Sequence, residues 1–189
     1  MTVLRFAAPA AFLLAAVPTA ALAASGIVAG CPAGQSFSAG PITVSGAFLR
    51  ATPKGAQSAG GYLTISNTGA SADIFTGASS PAADSVELHQ MKMNGNVMEM
   101  SDVSGGLPIP PGGSLRLDPF GYHLMLTGMA APFVQGDCVA MTLHFATAGD
   151  IPVEFNVGSM GQATAPAASG GVSVMPSGGM DMSSMSMGM

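Results

Sequence analysis

Between Ile42 and Val157 the chain is built of short stretches in which apolar and polar residues alternate, each closed by residues that turn the backbone. That rhythm constrains the fold more than any other feature, because a period of two is the signature of half-buried strands and not of helices. Residues 43–50 lead into a loop holding Pro53 and Gly55, and residues 61–67 alternate until the turn Asn67-Thr68-Gly69. Residues 73–78, 85–93 and 96–103 read as strands; Pro108, Pro110, Pro111 and Gly112-Gly113 make a long break, and residues 114–117 resume the pattern. A turn at Asp118-Pro119-Phe120-Gly121 precedes residues 123–127, and residues 139–145 and 151–157 alternate cleanly. About eight strands without a long helical stretch predict an all-β domain, a Greek-key β-sandwich or barrel. The 26 glycines, 14 prolines and 8% charged residues agree with a turn-rich β protein.

The chemistry concentrates between His89 and Met125. No methionine occurs between Met1 and Met91, yet Met91, Met93, Met98 and Met100 fall within ten residues beside His89. Asn94-Gly95 is a strong hairpin signal, since both residues tolerate the positive φ of a tight turn. A turn centred there places His89 opposite Met100 and Met91 opposite Met98; a turn at Gly95-Asn96 preserves the same faces. His89, Met91, Met93, Met98 and Met100 then share one face, and Gln90, Lys92, Val97 and Glu99 the other. His123 and Met125 are two apart on their own strand and also point the same way.

A methionine stripe alone is ordinarily core packing. Two histidines that each come with period-two methionine partners ask for more. Thioether sulfur is soft and selects Cu(I), imidazole accompanies it readily, and the four positions His89, Met100, His123 and Met125 hold no cysteine or carboxylate of the kind a structural zinc site uses.

The runs Val86-Glu87-Leu88-His89-Gln90-Met91-Lys92-Met93, Val97-Met98-Glu99-Met100, Gly106-Leu107-Pro108-Ile109-Pro110 and Gly121-Tyr122-His123-Leu124-Met125-Leu126 closely resemble the PCuAC family of periplasmic copper chaperones. The resemblance extends over about residues 42–157, with Gln90 where the family often has glutamate. It implies a cupredoxin-like sandwich over residues 42–158, Cu(I) bound by His89, Met100, His123 and Met125, and delivery towards the dinuclear copper centre of a respiratory oxidase. The implied partner is a copper-accepting oxidase subunit or another copper chaperone.

The ends of the chain set the context. Residues 1–23 read as a secretory signal peptide, with Arg5, an apolar run and the cleavage pattern Ala21-Leu22-Ala23, which predicts a periplasmic protein. Residues 24–41 are small and glycine-rich and read as a flexible arm carrying Cys31. Two cysteines in an exported chain predict one disulfide, Cys31 to Cys138, worth about 4 to 5 kcal/mol in the chain-entropy model. The competing reading is a copper thiolate site. His144 follows Cys138 by six residues and no methionine comes after His144 until Met160, which speaks against a blue-copper centre. Residues 159–189 are low in complexity, with methionines at 175, 180, 182, 185, 187 and 189, and read as a disordered tether that recruits copper. Met91, Met93, Met98, Met180, Met182, Met185, Met187 and Met189 are the candidates for secondary copper contacts, and Cu(II) is a candidate second ion.

Other classes of function find little footing. Removing Arg5 with the signal leaves 4 basic and 10 acidic side chains, about −6, which disfavours nucleic acid and anionic lipid. After residue 23 no stretch reaches the 18 or so apolar residues of a membrane span. No nucleophile elbow, HExxH or phosphate loop is present, so no enzyme is expected, and a monomer is. The alternatives are a copper-sequestering protein without a dedicated acceptor and a metal-free structural sandwich. With Val139, Met141, Leu143 and Phe145 facing the core, His144 falls on the solvent face.

Overall fold

The computed structural model describes residues 26–32 and 34–165. The signal-like segment and the methionines from Met175 to Met189 lie outside the described residues. Twelve strands make up the domain: β1 (Ile27–Ala29), β2 (Ser36–Ala39), β3 (Ile42–Arg50), β4 (Ser58–Asn67), β5 (Asp73–Ser79), β6 (Ala83–Asn94), β7 (Val97–Asp102), β8 (Leu107–Ile109), β9 (Ser114–Leu117), β10 (Tyr122–Met129), β11 (Asp137–Phe145) and β12 (Gly149–Gly158). No helix occurs among the described residues. The hydrogen-bonded order is β7-β6-β10-β4-β3-β12-β11-β5-β8, with β1 beside β11, β2 beside β3 and β9 beside β4.

Among the described residues every pairing is antiparallel except β12 with β3. The sheet curls on itself, bringing β5 against β6 and β8 against β9. Inside the curl lie the inward-facing residues of the longer strands. On β11, Val139, Met141, Leu143 and Phe145 are buried; on β12, Ile151, Val153, Phe155 and Val157 are, while Asp150, Pro152 and Glu154 stay outside. Pro152 is tolerated because β3 pairs with β12 only from Asn156 onward, so on that side no ladder donor is required. Leu88 of β6, Leu124 and Leu126 of β10 and Leu49 of β3 join the same core.

Three short strands escape the sequence pattern. The expected arm forms β1 and β2, which pair with β11 and β3, and β8 lies within the proline-rich break. Their segments are too short to show a period. The disulfide Cys31–Cys138 is formed across 107 residues of chain and fastens the β1 segment to β11. His144 half-emerges on the outer side of β11, with Nδ1 2.7 Å from Asp150 Oδ1 and Nε2 3.0 Å from Ser79 Oγ.

Candidate metal centre

The β6–β7 hairpin turns at Gly95-Asn96, with Gly95 at φ 62°. Facing residues are Met91 with Met100, Met93 with Met98, and His89 with Asp102. The expected facing of His89 with Met100, and of Met91 with Met98, is therefore corrected by one step on each strand. A glycine leading the turn in place of Asn94 moves the register by two residues, and because the shift is even every side chain keeps its predicted face. His89, Met91, Met93, Met98 and Met100 do share a face, and Glu87 and Asp102 join them by the same parity.

On the other flank of β6, His123 of β10 faces His89 and Met125 faces Glu87. One row of facing residues thus crosses five strands: Phe48, Tyr62, His123, His89 and Asp102. Four of them are rings in succession, with centroids 5.0 Å apart from Phe48 to Tyr62, 6.5 Å from Tyr62 to His123 and 5.8 Å from His123 to His89, the last pair edge to face at 83°. The row stands on the face of the sheet away from the main core, yet Phe48, Tyr62, His123 and His89 are all buried. The Arg50 guanidinium lies 5.4 Å from the Tyr62 ring centre, a cation–π arrangement at the row's far side.

The predicted ligands surround this pair unequally. Met125 sits two residues beyond His123 on β10, and Met100 on β7 stands diagonal to His89, a spacing within reach of a long side chain. Met100, Met93 and Met98 are 50%, 58% and 42% exposed, so the hairpin offers sulfur to solvent, which core methionines do not. Met91 is half-buried beside them.

The two imidazoles differ in their hydrogen bonds. The Nδ1 of His123 lies 3.3 Å from the Gly121 carbonyl, which also accepts the Met91 N–H at 2.9 Å. A carbonyl can only accept, so the His123 Nδ1 carries hydrogen and its Nε2 keeps a lone pair. Burial holds the His123 pKa below the usual histidine value; the Gly121 bond pushes it up, and the neighbouring His89 pushes it down again. A neutral imidazole is the form that binds metal. The Nε2 of His89 stands 2.9 Å from Asp102 Oδ1 and 3.2 Å from Glu87 Oε2, and its Nδ1 has no partner. Asp102 and Glu87 do not stand out in the sequence. Period two from His89 reaches Glu87, and a turn at Gly95-Asn96 reaches Asp102.

Elsewhere, Cys31, Cys138 and Glu154 lie together, but both sulfurs are consumed by the disulfide, so the thiolate reading falls away.

The lipoprotein family model described as LpqE-like matches residues 42–157. Lxx21020 of Leifsonia xyli subsp. xyli (strain CTCB07), which bears a lipoprotein name, is 36% identical over 112 residues, 59% of this chain and 66% of that protein. The match thus spans just under two thirds of that relative's length. Among solved structures, the copper-bound PCuAC domain from PmoF2 is 24% identical with a TM-score of 0.56, covering 66% of this chain and 98% of its own. Apo-DR1885 from Deinococcus radiodurans is 27% identical at 0.53, covering 84% of this chain and all of its own, and its CuI form is 28% identical at 0.51, covering 66% and 81%. The all-β architecture is the cupredoxin-like fold of these PCuAC domains. With the family model spanning the sheet from the first residue of β3 nearly to the end of β12, the chain belongs to the LpqE-like family.

Proposed function

We propose that the chain is an exported copper chaperone that holds Cu(I) through His89, Met100, His123 and Met125 and delivers it to the dinuclear copper centre of a respiratory oxidase. The observation that carries this reading is the facing of two buried imidazoles on adjacent strands, on a face that also carries Met91, Met93, Met98, Met100 and Met125. Two imidazoles with thioethers form a soft, neutral donor set suited to Cu(I), and the absence of thiolate in the set favours release. The solved CuI form of DR1885, 28% identical, supports the same cargo. Export is supported by the signal-like N-terminus, by the disulfide and by the lipoprotein name of the relative. The cationic cargo also suits the acidic chain.

The test is an anaerobic Cu(I) titration of the full chain against a competing chromophoric chelator. The chain is expected to hold one ion tightly, to lose it in the His89→Ala plus His123→Ala variant, and to keep it when Met180, Met182, Met185, Met187 and Met189 are all leucine. Binding that ignores the histidines and follows the tail methionines would instead support sequestration, a reading favoured by the sulfur-rich C-terminus. Met91, Met93 and Met98 are assigned to docking: their joint replacement by leucine should slow transfer to an acceptor while leaving affinity alone.

A further inference from the structure

Among the described residues a single buried side-chain nitrogen or oxygen lacks a hydrogen-bond partner, the Nδ1 of His89. A buried polar group that nothing satisfies has given up its bonds to water without a replacement. It sits on a residue only 6% exposed, while the other ring nitrogen has two partners, Asp102 Oδ1 at 2.9 Å and Glu87 Oε2 at 3.2 Å. An ionised carboxylate only accepts hydrogen bonds. Both contacts therefore require hydrogen on Nε2, and in the neutral imidazole the lone pair is left on Nδ1. The two nitrogens point to nearly opposite sides of the ring. Asp102 belongs to β7 on one flank of β6; β10, with His123 and Met125, lies on the other.

We infer that Glu87 and Asp102 are positioning residues that fix the tautomer of His89, so that copper is taken by the Nδ1 of His89 and the Nε2 of His123. This rests on the copper reading above and adds to it the donor atoms and two acidic residues. Each histidine then presents one lone pair and anchors its other nitrogen: His123 on the Gly121 carbonyl, His89 on the carboxylate pair. Histidines that ligate metals characteristically donate their second N–H to such a partner, which orients the ring and raises its basicity. The carboxylates also set negative charge beside the cation. Their side chains are 52% and 84% exposed, so they contribute this charge without being buried themselves.

The experiment joins affinity to a direct view of the ring. In the full chain, Glu87→Ala plus Asp102→Ala should lower Cu(I) affinity by about 10- to 100-fold. Asp102→Asn, which keeps one acceptor oxygen, should fall between. Nitrogen-15 NMR of the metal-free wild type should show His89 protonated at Nε2, and Cu(I) should shift the Nδ1 resonance while the Nε2 proton remains. That spectrum needs no variant to fold. A Cu(I)-induced shift at Nε2 with hydrogen on Nδ1, or wild-type affinity in the double alanine variant, overturns the inference. If His89→Ala plus His123→Ala keeps the ion, the copper reading itself fails; if only the carboxylate variants bind normally, only this inference does.

Discussion

Tyr62 supports His123 from β4, its ring centre 6.5 Å away and its own far side packed on Phe48. The tyrosine is 5% exposed, and burial raises its phenol pKa, against Arg50, which lowers it, and with Asp118, which raises it. Its ring is therefore a neutral wall at the pH of function. Tyr62→Ala should destabilise the domain by about 3 kcal/mol or more and loosen His123, whereas Tyr62→Phe should stay within about 1 kcal/mol. Urea unfolding measures the first effect, and Cu(I) affinity in the two variants measures the second.

The depressed His123 pKa has a definite sign in stability. An unfolded histidine takes its proton near pH 6.5, while the folded one resists to a lower pH, so the unfolded state binds more protons in between. The metal-free protein should lose stability as pH falls from about 7 towards 5. His123→Gln should flatten that slope in unfolding curves taken at pH 5, 6 and 7. Under the copper reading, the same shift keeps this imidazole a neutral donor in mildly acid surroundings.

Asp73 opens β5 and fastens it to the turn between β11 and β12. It is 5% exposed and accepts the backbone N–H groups of Ile74, Thr147 and Ala148 at 2.7, 2.9 and 2.9 Å. Burial alone would raise its pKa, but the donors outweigh it and hold the carboxyl below the usual range. Its stabilisation is complete above the unfolded-state pKa near 3.9 and is lost as pH falls through the lower folded value, a window below that of His123. Asp73→Asn turns donors against donors and should cost about 2 kcal/mol at pH 7, read by urea unfolding, with Cu(I) affinity unchanged.

The disulfide should act on stability and not on binding. Opening Cys31–Cys138 releases a closed loop of more than a hundred residues, worth about 4 to 5 kcal/mol in the chain-entropy model. Cys31→Ser plus Cys138→Ser should lower the melting midpoint by roughly 10–15 °C. Calorimetry with and without reductant checks this, and Cu(I) titration of the surviving fold should show an intact site.

Much of the fold was legible because β11 and β12 bury alternate residues along most of their length. Residues 139–145 and 151–157 announce which side faces the core, and His144 falls on the outer side as that parity requires. Strands of three or four residues such as β1, β2 and β8 have no room to show a period, and β8 contains Pro108, which reads as a break. At the site, parity put His89, Met91, Met93, Met98 and Met100 on one face whichever of two turns formed. Which residue faces which depended on whether Asn94 or Gly95 opened the turn, a choice of small local energies. Asp102 entered beside His89 through that choice alone. Tyr62 could not be read at all, since its meeting with His123 depends on the long-range pairing of β4 with β10.

The single parallel pairing has a consequence for how the domain comes into being. β12 is the last strand among the described residues but an inner one in the sheet, clasped between β3 and β11. Until residues 149–158 exist, the strands fall into two unjoined ribbons, β7-β6-β10-β4-β3 and β11-β5-β8, each with a bare inner margin. Contacts such as Phe48 with Asn156 span most of the domain's length, and topologies of this kind fold slowly. A growing chain therefore stays uncommitted while its first hundred residues emerge. The histidine pair lies wholly within the first ribbon, so the arrival of β12 closes the core without changing which strands hold the two rings.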